Sequence, residues 1–128
     1  MNENDISRIV VDSAIEVHRI LGGPGLLESI YEEALIFELQ QKGVEAQRQL
    51  PVPVVYKGYT ISAPLRLDLL VGNKVIIECK SLAVYNSIYE AQLLTYLRLM
   101  DLKLGLVINF GTRLVKDGIH RVVNGLYI

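Results

Sequence analysis

Asp68, Glu78 and Lys80 fall within a short stretch, DLLVGNKVIIECK, in which two apolar runs flank a Gly72–Asn73 turn signal. A carboxylate on one strand, with a carboxylate and a lysine on the next, can hold a divalent cation beside a cationic group. That chemistry suits phosphodiester hydrolysis better than it suits packing. Mg²⁺ or Mn²⁺ takes oxygen ligands and keeps waters, one of which can become the nucleophile. Lys80 follows Glu78 by two residues on the same strand face, so its ammonium can meet a water or a phosphate and stabilise developing negative charge. The backbone carbonyl of Cys79 lies between them and offers a further oxygen ligand. The plainer alternative is a solvated sheet face, with Glu78–Lys80 a surface ion pair worth little.

The turn can be tested by parity. A two-residue turn at Gly72–Asn73 pairs Val71 with Lys74 and Asp68 with Ile77, which puts Asp68 and Glu78 on opposite faces. A three-residue loop, Gly72–Asn73–Lys74, pairs Val71 with Val75 and Asp68 with Glu78. A one-residue slip reverses every side chain, so the apolar pattern selects the three-residue loop or an equivalent bulge. The same choice brings two carboxylates together. Left bare they repel, and a cation would relieve that.

These residues need a sheet with helices to cover it. The 3.6-residue period of Ile6, Ile9, Val10, Ser13, Val17, Ile20 and Leu21 predicts a helix over about Asp5–Leu21, N-capped by Asp5 and stopped by Gly22–Gly23–Pro24–Gly25. A second helix is expected over Leu26–Lys42, ending at Gly43. Gln47–Tyr56 reads as an edge or irregular strand because of Pro51 and Pro53, with a turn at Lys57–Gly58 and a continuation over Tyr59–Ala63. Leu65–Val71 alternates, with Leu65, Leu67, Leu69 and Val71 on one face and Arg66, Asp68 and Leu70 on the other. Val75–Lys80 alternates too, with Val75, Ile77 and Cys79 opposite Ile76, Glu78 and Lys80. A third helix is expected over Ser87–Met100, a central strand over Leu104–Phe110, and a strand pair over Val115–Val123 around Asp117–Gly118. Consecutive strands precede the crossover helix, so the class is an α/β sandwich with a mixed sheet and not a βαβ series.

The bulk composition agrees with one folded domain spanning 1–128. The chain has 128 residues, 51% apolar and 21% charged, enough for a single sizeable core. Nothing in the sequence approaches a membrane span, and Glu3 and Asp5 stand where a signal peptide would be basic. The lone Cys79 reads as a small buried hydrophobe in a reducing cytoplasm. The net charge of −1, with 13 Lys and Arg spread along the chain, does not make the broad basic field of a non-specific duplex binder. A nucleic-acid enzyme of this composition needs a local basic rim, a protein partner or a homodimer groove.

Asp68 with Glu78–Cys79–Lys80 resembles the PD-(D/E)XK nuclease-like superfamily. The resemblance is narrower to the small bacterial and archaeal GxxExxY proteins, whose pattern is matched by Gly25–Leu26–Leu27–Glu28–Ser29–Ile30–Tyr31. PVPVVYKG, LRLDLLVGNKVIIECK, EAQLLTYLRLM and GLVINFG fit the same habit, so the likeness runs from about Ile15 to Gly111. Leu67 stands where the superfamily signature has proline. The resemblance implies a restriction-endonuclease-like αβββαβ core and Mg²⁺- or Mn²⁺-dependent cleavage of nucleic acid, DNA before RNA. It makes Asp68, Glu78 and the Cys79 carbonyl the metal ligands. It adds Glu28 as a helix-borne acid and Gln92 as the helix residue after the ExK strand, with Tyr96 one turn on.

Several residues have a second reading. Glu28 in a first helical turn is also favoured by the helix dipole, and Glu32 and Glu33 read as solvated. Tyr31 and Tyr96 suit the core, although either hydroxyl could touch a carboxylate. Arg66 suits an ion pair or a phosphate contact. His18 suits a satisfied, partly buried histidine or an approach to the site. No histidine has a partner at zinc-ligand spacing. The alternative function is a non-catalytic nucleic-acid-binding or protein-assembly module on the same fold.

Overall fold

The computed structural model describes residues 1–126. The first helix, α1, runs Glu3–Leu21, two residues longer at its start than the expected Asp5. Asn2 is the N-cap: its side chain accepts from the Asp5 N–H, while the Asp5 carboxylate accepts from the Asn2 N–H. This reciprocal capping box displaces Asp5 from the cap to the third helical position. Gly22, at φ 90°, ends α1 in the left-handed conformation. The second helix, α2, covers Glu28–Gln41. It starts later than the expected Leu26, whose N–H is taken by the Tyr31 hydroxyl instead of a helical partner.

The strands that follow are β1 (Ala46–Val52), β2 (Val55–Tyr56), β3 (Tyr59–Thr60), β4 (Leu65–Val71) and β5 (Val75–Lys80). Helix α3 (Ile88–Met100) crosses over to β6 (Leu104–Asn109), and a 3-10 turn (Val115–Gly118) leads to β7 (Ile119–Val123). The main sheet has the order β1-β4-β5-β6-β7, while β2 and β3 form a separate hairpin. Only the β5–β6 pairing is parallel in that sheet. This is the expected mixed sheet flanked by helices, an αβββαβ arrangement with a small hairpin inserted.

Two expectations are corrected. Gln47–Tyr56 is the expected edge strand only as far as Val52, because β1 stops before Pro53 and the chain leaves the sheet as the β2–β3 hairpin. Val115–Val123 is not a strand pair. Its first half is the 3-10 turn, drawn down where Gly118 packs so closely on the Asn109 carbonyl that no Cβ would fit. Its second half pairs with β6.

The core lies on both faces of the sheet. Against α1 and α2 are Leu69, Val71, Val75, Ile77, Cys79, Leu106 and Ile108. Against α3 are Leu67, Leu70, Ile76 and Val107. The alternation of β5 is as expected, but that of β4 is not: Leu65 and Leu67 pack on the α3 side, and Leu69 and Val71 on the opposite side. The neighbouring strand switches at the same level, with Ala46 on the α1/α2 side and Leu50 and Val52 on the α3 side. Gln49 has φ 51°, and neither Gln49 nor Asp68 is in the ladder, although Arg48 still pairs with Leu69 and Leu50 with Leu67. One residue on each strand is therefore skipped without a change of register. This irregularity reverses the side-chain phase of both strands.

None of the described helices is long and apolar enough to cross a membrane. The close approach of the β5 and β6 exits gives a test of the packing. A Cβ at Gly111 would collide with the Leu82 backbone, carbonyl oxygen included. Gly111→Ala is expected to lower stability by about 1–3 kcal/mol, the usual range for overpacking. A urea unfolding midpoint equal to wild type would refute that contact.

Candidate metal-dependent active site

The three-residue loop expected from parity is present: Val71 pairs with Val75, and Leu69 with Ile77. The regular ladder ends there. Beyond it, the Asp68 N–H donates to Glu78 Oε2 at 2.9 Å, and the Cys79 N–H donates to Asp68 Oδ2 at 2.8 Å. Each carboxylate thus accepts a backbone hydrogen bond from the opposite strand. The phase reversal at Asp68 opens this gap, and the acidic side chains fill it.

Burial and mutual repulsion set the charge state. Burial, then the neighbouring Asp68 charge, pushes the Glu78 carboxyl up to about 8, against the pull of the Asp68 N–H and Lys80. Burial also raises Asp68, partly offset by the Cys79 N–H. Lys80 favours the ionised form of both. Its Nζ stands 4.4 Å from the centroid of the Tyr89 ring on α3. Glu78 is 7% exposed and shielded from bulk water, whereas Asp68 is half-buried at the opening of the ladder.

The other candidates divide into those brought near the carboxylates and those held elsewhere. Glu28 and Asp68 line one open cleft of about 670 Å³, together with Leu26, Glu32, Gln49 and Ser81. Burial, and then the charges of Glu78 and Asp68, raise the Tyr96 hydroxyl on α3 above its ordinary value. Gln92 is exposed one turn before Tyr96, and it does not line the cleft that holds Asp68 and Glu28. Arg66 is exposed, and its Nη1 donates to the Gln49 carbonyl at 3.1 Å. His18 is 5% exposed, with Nε2 3.0 Å from the Phe110 carbonyl, and the structure does not bring it to the carboxylates.

Tyr31 acts at one remove. Its ring stacks on Phe110 with centroids 4.6 Å apart. Its hydroxyl donates to the Gly23 carbonyl at 2.8 Å and accepts from the Leu26 N–H at 3.1 Å. Those bonds fix the glycine turn that leads into Glu28. Ser81 Oγ, just past Lys80, donates to the Leu26 carbonyl at 2.7 Å. Buried Asn109 holds the next residue, accepting from the Leu82 N–H at 2.9 Å and donating to its carbonyl at 3.1 Å. The end of β5 and the start of α2 are thereby tied together.

Glu32 corrects the solvated reading, being only 3% exposed. Its Oε1 accepts from Arg48 Nε at 2.7 Å and from Gln49 Nε2 at 2.9 Å. Gln49 Nε2 also stands 3.4 Å from Asp68 Oδ1. Arg48, Gln49 and Glu32 are the neighbours that periodicity missed. The available signal was the basic Arg48 sixteen residues beyond a helical acid, which the sequence alone cannot pair.

The donor set suits a hard cation. Asp68 and Glu78 supply carboxylate oxygens, and the Cys79 carbonyl points to the same side of β5 as the N–H that meets Asp68. Among the described residues no group of three or more His, Cys, Asp or Glu side chains could hold a metal ion. A cation here would rely on the two carboxylates, the backbone carbonyl and ligands from water or phosphate, as Mg²⁺ commonly does. All these donors are oxygen, which fits Mg²⁺ or Mn²⁺ and not zinc.

The profile of the PD-(D/E)XK nuclease superfamily matches residues 4–122. The chain belongs to that superfamily. Among solved structures, the crystal structure of SSO0001 is similar at a TM-score of 0.53 and 17% identity, over 94% of this chain and 59% of that one. That likeness concerns the fold, and this chain spans less than two thirds of the SSO0001 chain. Comparison with curated proteins gives no match. The match bears out the expected superfamily.

The raised Glu78 carboxyl sets a sign for stability. The native state keeps that proton until about 8, whereas the unfolded chain releases it near the ordinary 4.5. Its contribution is fully present below 4.5 and is lost as pH rises through 8. Metal-free protein should therefore melt at progressively lower temperature across that window, and Glu78→Gln should flatten the slope. Melts in EDTA from pH 4 to 9 test this; a Glu78→Gln curve parallel to wild type would place the titrating group elsewhere.

Proposed function

We propose that this protein is a Mg²⁺- or Mn²⁺-dependent nuclease that hydrolyses nucleic-acid phosphodiester bonds, DNA before RNA. The observation that supports this most is the Asp68–Glu78 pair, set in the opened β4–β5 ladder with Lys80 beside it. A divalent cation bound there would neutralise phosphate charge and acidify an attacking water.

The chain's own residues have distinct tasks in this reading. Asp68, Glu78 and the Cys79 carbonyl hold the ion. The backbone N–H groups of Asp68 and Cys79 fix one oxygen of each carboxylate, while Gln49 Nε2 stands 3.4 Å from the other Asp68 oxygen. Lys80 donates to the attacking water or the scissile phosphate and stabilises the charge that grows in the transition state. Glu28, on the wall of the same cleft, orients a water or a ligand shell. Tyr96 borders the carboxylates from α3, exposed Gln92 one turn earlier offers an amide to a water or phosphate, and Arg66 offers a cation to the backbone phosphates. Tyr31 holds the Gly23–Leu26 turn and so positions Glu28.

A second reading, a protein-assembly module, is favoured by one feature. Leu27, Ile30 and Phe37 are 71%, 42% and 59% exposed along α2. Such a stripe suits a second copy or another protein.

Two measurements separate the readings. Mn²⁺ or Mg²⁺ should raise the melting temperature of wild type and of Lys80→Ala, by binding the folded state, and should leave Asp68→Ala unmoved. An equal rise in Asp68→Ala would put the ion at another place. Incubation with single-stranded, duplex and branched DNA and with RNA should give cleavage that EDTA abolishes. Lys80→Ala should lose at least about a hundredfold in rate while keeping its metal response, as expected for removal of one transition-state contact. Nucleic-acid binding with no metal-dependent cleavage would instead favour a non-catalytic binding module, and neither binding nor cleavage the protein-assembly module.

A further inference from the structure

The β2–β3 hairpin leaves the main sheet directly beyond the Val52–Leu65 pair. It springs from the β1–β4 pair that carries Gln49 and Asp68, and Leu65 is about 10 Å from Asp68 at ordinary strand rise. The Ile61 N–H donates to the Val54 carbonyl at 2.8 Å at its base. Lys57 at φ 49° and Gly58 at φ 78° form a tight turn with both central residues left-handed, the geometry that matches strand twist. The arm is well formed, yet its side chains bury little.

What the arm displays is specific. Tyr56 pairs directly with Tyr59, so both rings project from one face. They are 61% and 67% exposed. Lys57 Nζ lies 5.5 Å from the Tyr56 ring centroid. From Ala46 to Leu67 the sequence contains Arg48, Lys57 and Arg66 and no Asp or Glu. Arg48 is satisfied by Glu32, while Lys57 and Arg66 remain as cations on a carboxylate-free segment. In a chain of net charge −1 this is a local positive zone that carries paired aromatic rings.

We propose that this arm binds unpaired nucleotides, stacking their bases on Tyr56 and Tyr59 while Lys57 and Arg66 meet the phosphates. Aromatic platforms with flanking cations take single strands of any sequence, because every base has a π-face. Bases inside a duplex have their faces covered by their neighbours. The arm therefore selects substrates with a single-stranded portion: a free strand, a flap or a fork. The proposal rests on the nuclease reading for what happens to the bound strand, but the binding itself needs neither metal nor catalysis.

The test uses the full chain in EDTA, with fluorescence anisotropy on labelled oligonucleotides: single-stranded DNA, single-stranded RNA, blunt duplex and an abasic single strand. Wild type should bind the base-bearing single strands more tightly than the duplex and the abasic strand. Tyr56→Leu with Tyr59→Leu keeps apolar bulk and should weaken single-strand binding at least about tenfold, and Phe at both positions should restore it. Circular dichroism and melting should show both pairs folded, since the rings are exposed. Equal binding of abasic and base-bearing strands, unchanged binding in the Leu pair, or no nucleic-acid binding at all would each overturn the proposal. So would a Leu pair that changes only the oligomeric state in light scattering, which would give the arm to a second copy. Lys80→Ala keeps the failures apart: normal single-strand binding with full cleavage would sink the role of Lys80 and leave the arm standing.

Discussion

Two acidic side chains with backbone hydrogen bonds across a gap in the sheet are the constraint around which this structure is arranged. Asp68 and Glu78 each accept a backbone N–H from the opposite strand, where a regular ladder would place a carbonyl. A buried unpaired N–H costs about 1–3 kcal/mol, so these exchanges satisfy the opened strands. They also place like charges together, which burial makes worse. Lys80 and the two N–H groups offset part of that. The remainder is held by the packing of Leu67, Leu70 and Ile76 against α3 on one side and of Leu69 and Ile77 against α1 and α2 on the other. A fold that stabilised itself alone would place apolar residues here.

The rest of the site depends on ties between segments far apart in sequence. Tyr31 bonds the glycine turn, Ser81 bonds Leu26, and Asn109 bonds both polar groups of Leu82. The chain leaving β5, the chain leaving β6 and the chain entering α2 therefore move as a unit. Phe110 joins this unit, its ring stacked on Tyr31 and its carbonyl accepting from His18 Nε2. His18 is thus part of the support of the turn. Glu28 needs this support because its helix begins at Leu27 with no side-chain cap.

Much of this was legible in the order of residues, for physical reasons. The apolar periods of α1, α2 and α3 placed those helices within a few residues, and parity chose the correct hairpin loop because a slip would have exposed Val71 and Ile77. Local alternation could not show that β4 changes phase at Asp68. That change depends on Gln49 adopting a left-handed backbone nineteen residues earlier, across the sheet. Glu32 looked like a solvated helix acid because its partners, Arg48 and Gln49, arrive from a different element. Asp117–Gly118 looked like a hairpin turn, but close packing of Gly118 on Asn109 folds it into a 3-10 turn. In each case a nonlocal contact overrode a sound local signal.

The break at Gln49 has a consequence for the margin of the sheet. Strand β1 is an outer strand, and an outer strand normally offers a row of unpaired N–H and C=O groups to any other chain. Here the row is interrupted at Gln49 and loses a donor at Pro51. Along β1 no long, flat template is left on which a neighbouring chain could add a strand. The irregularity that opens space for the carboxylates also blunts this edge against strand addition.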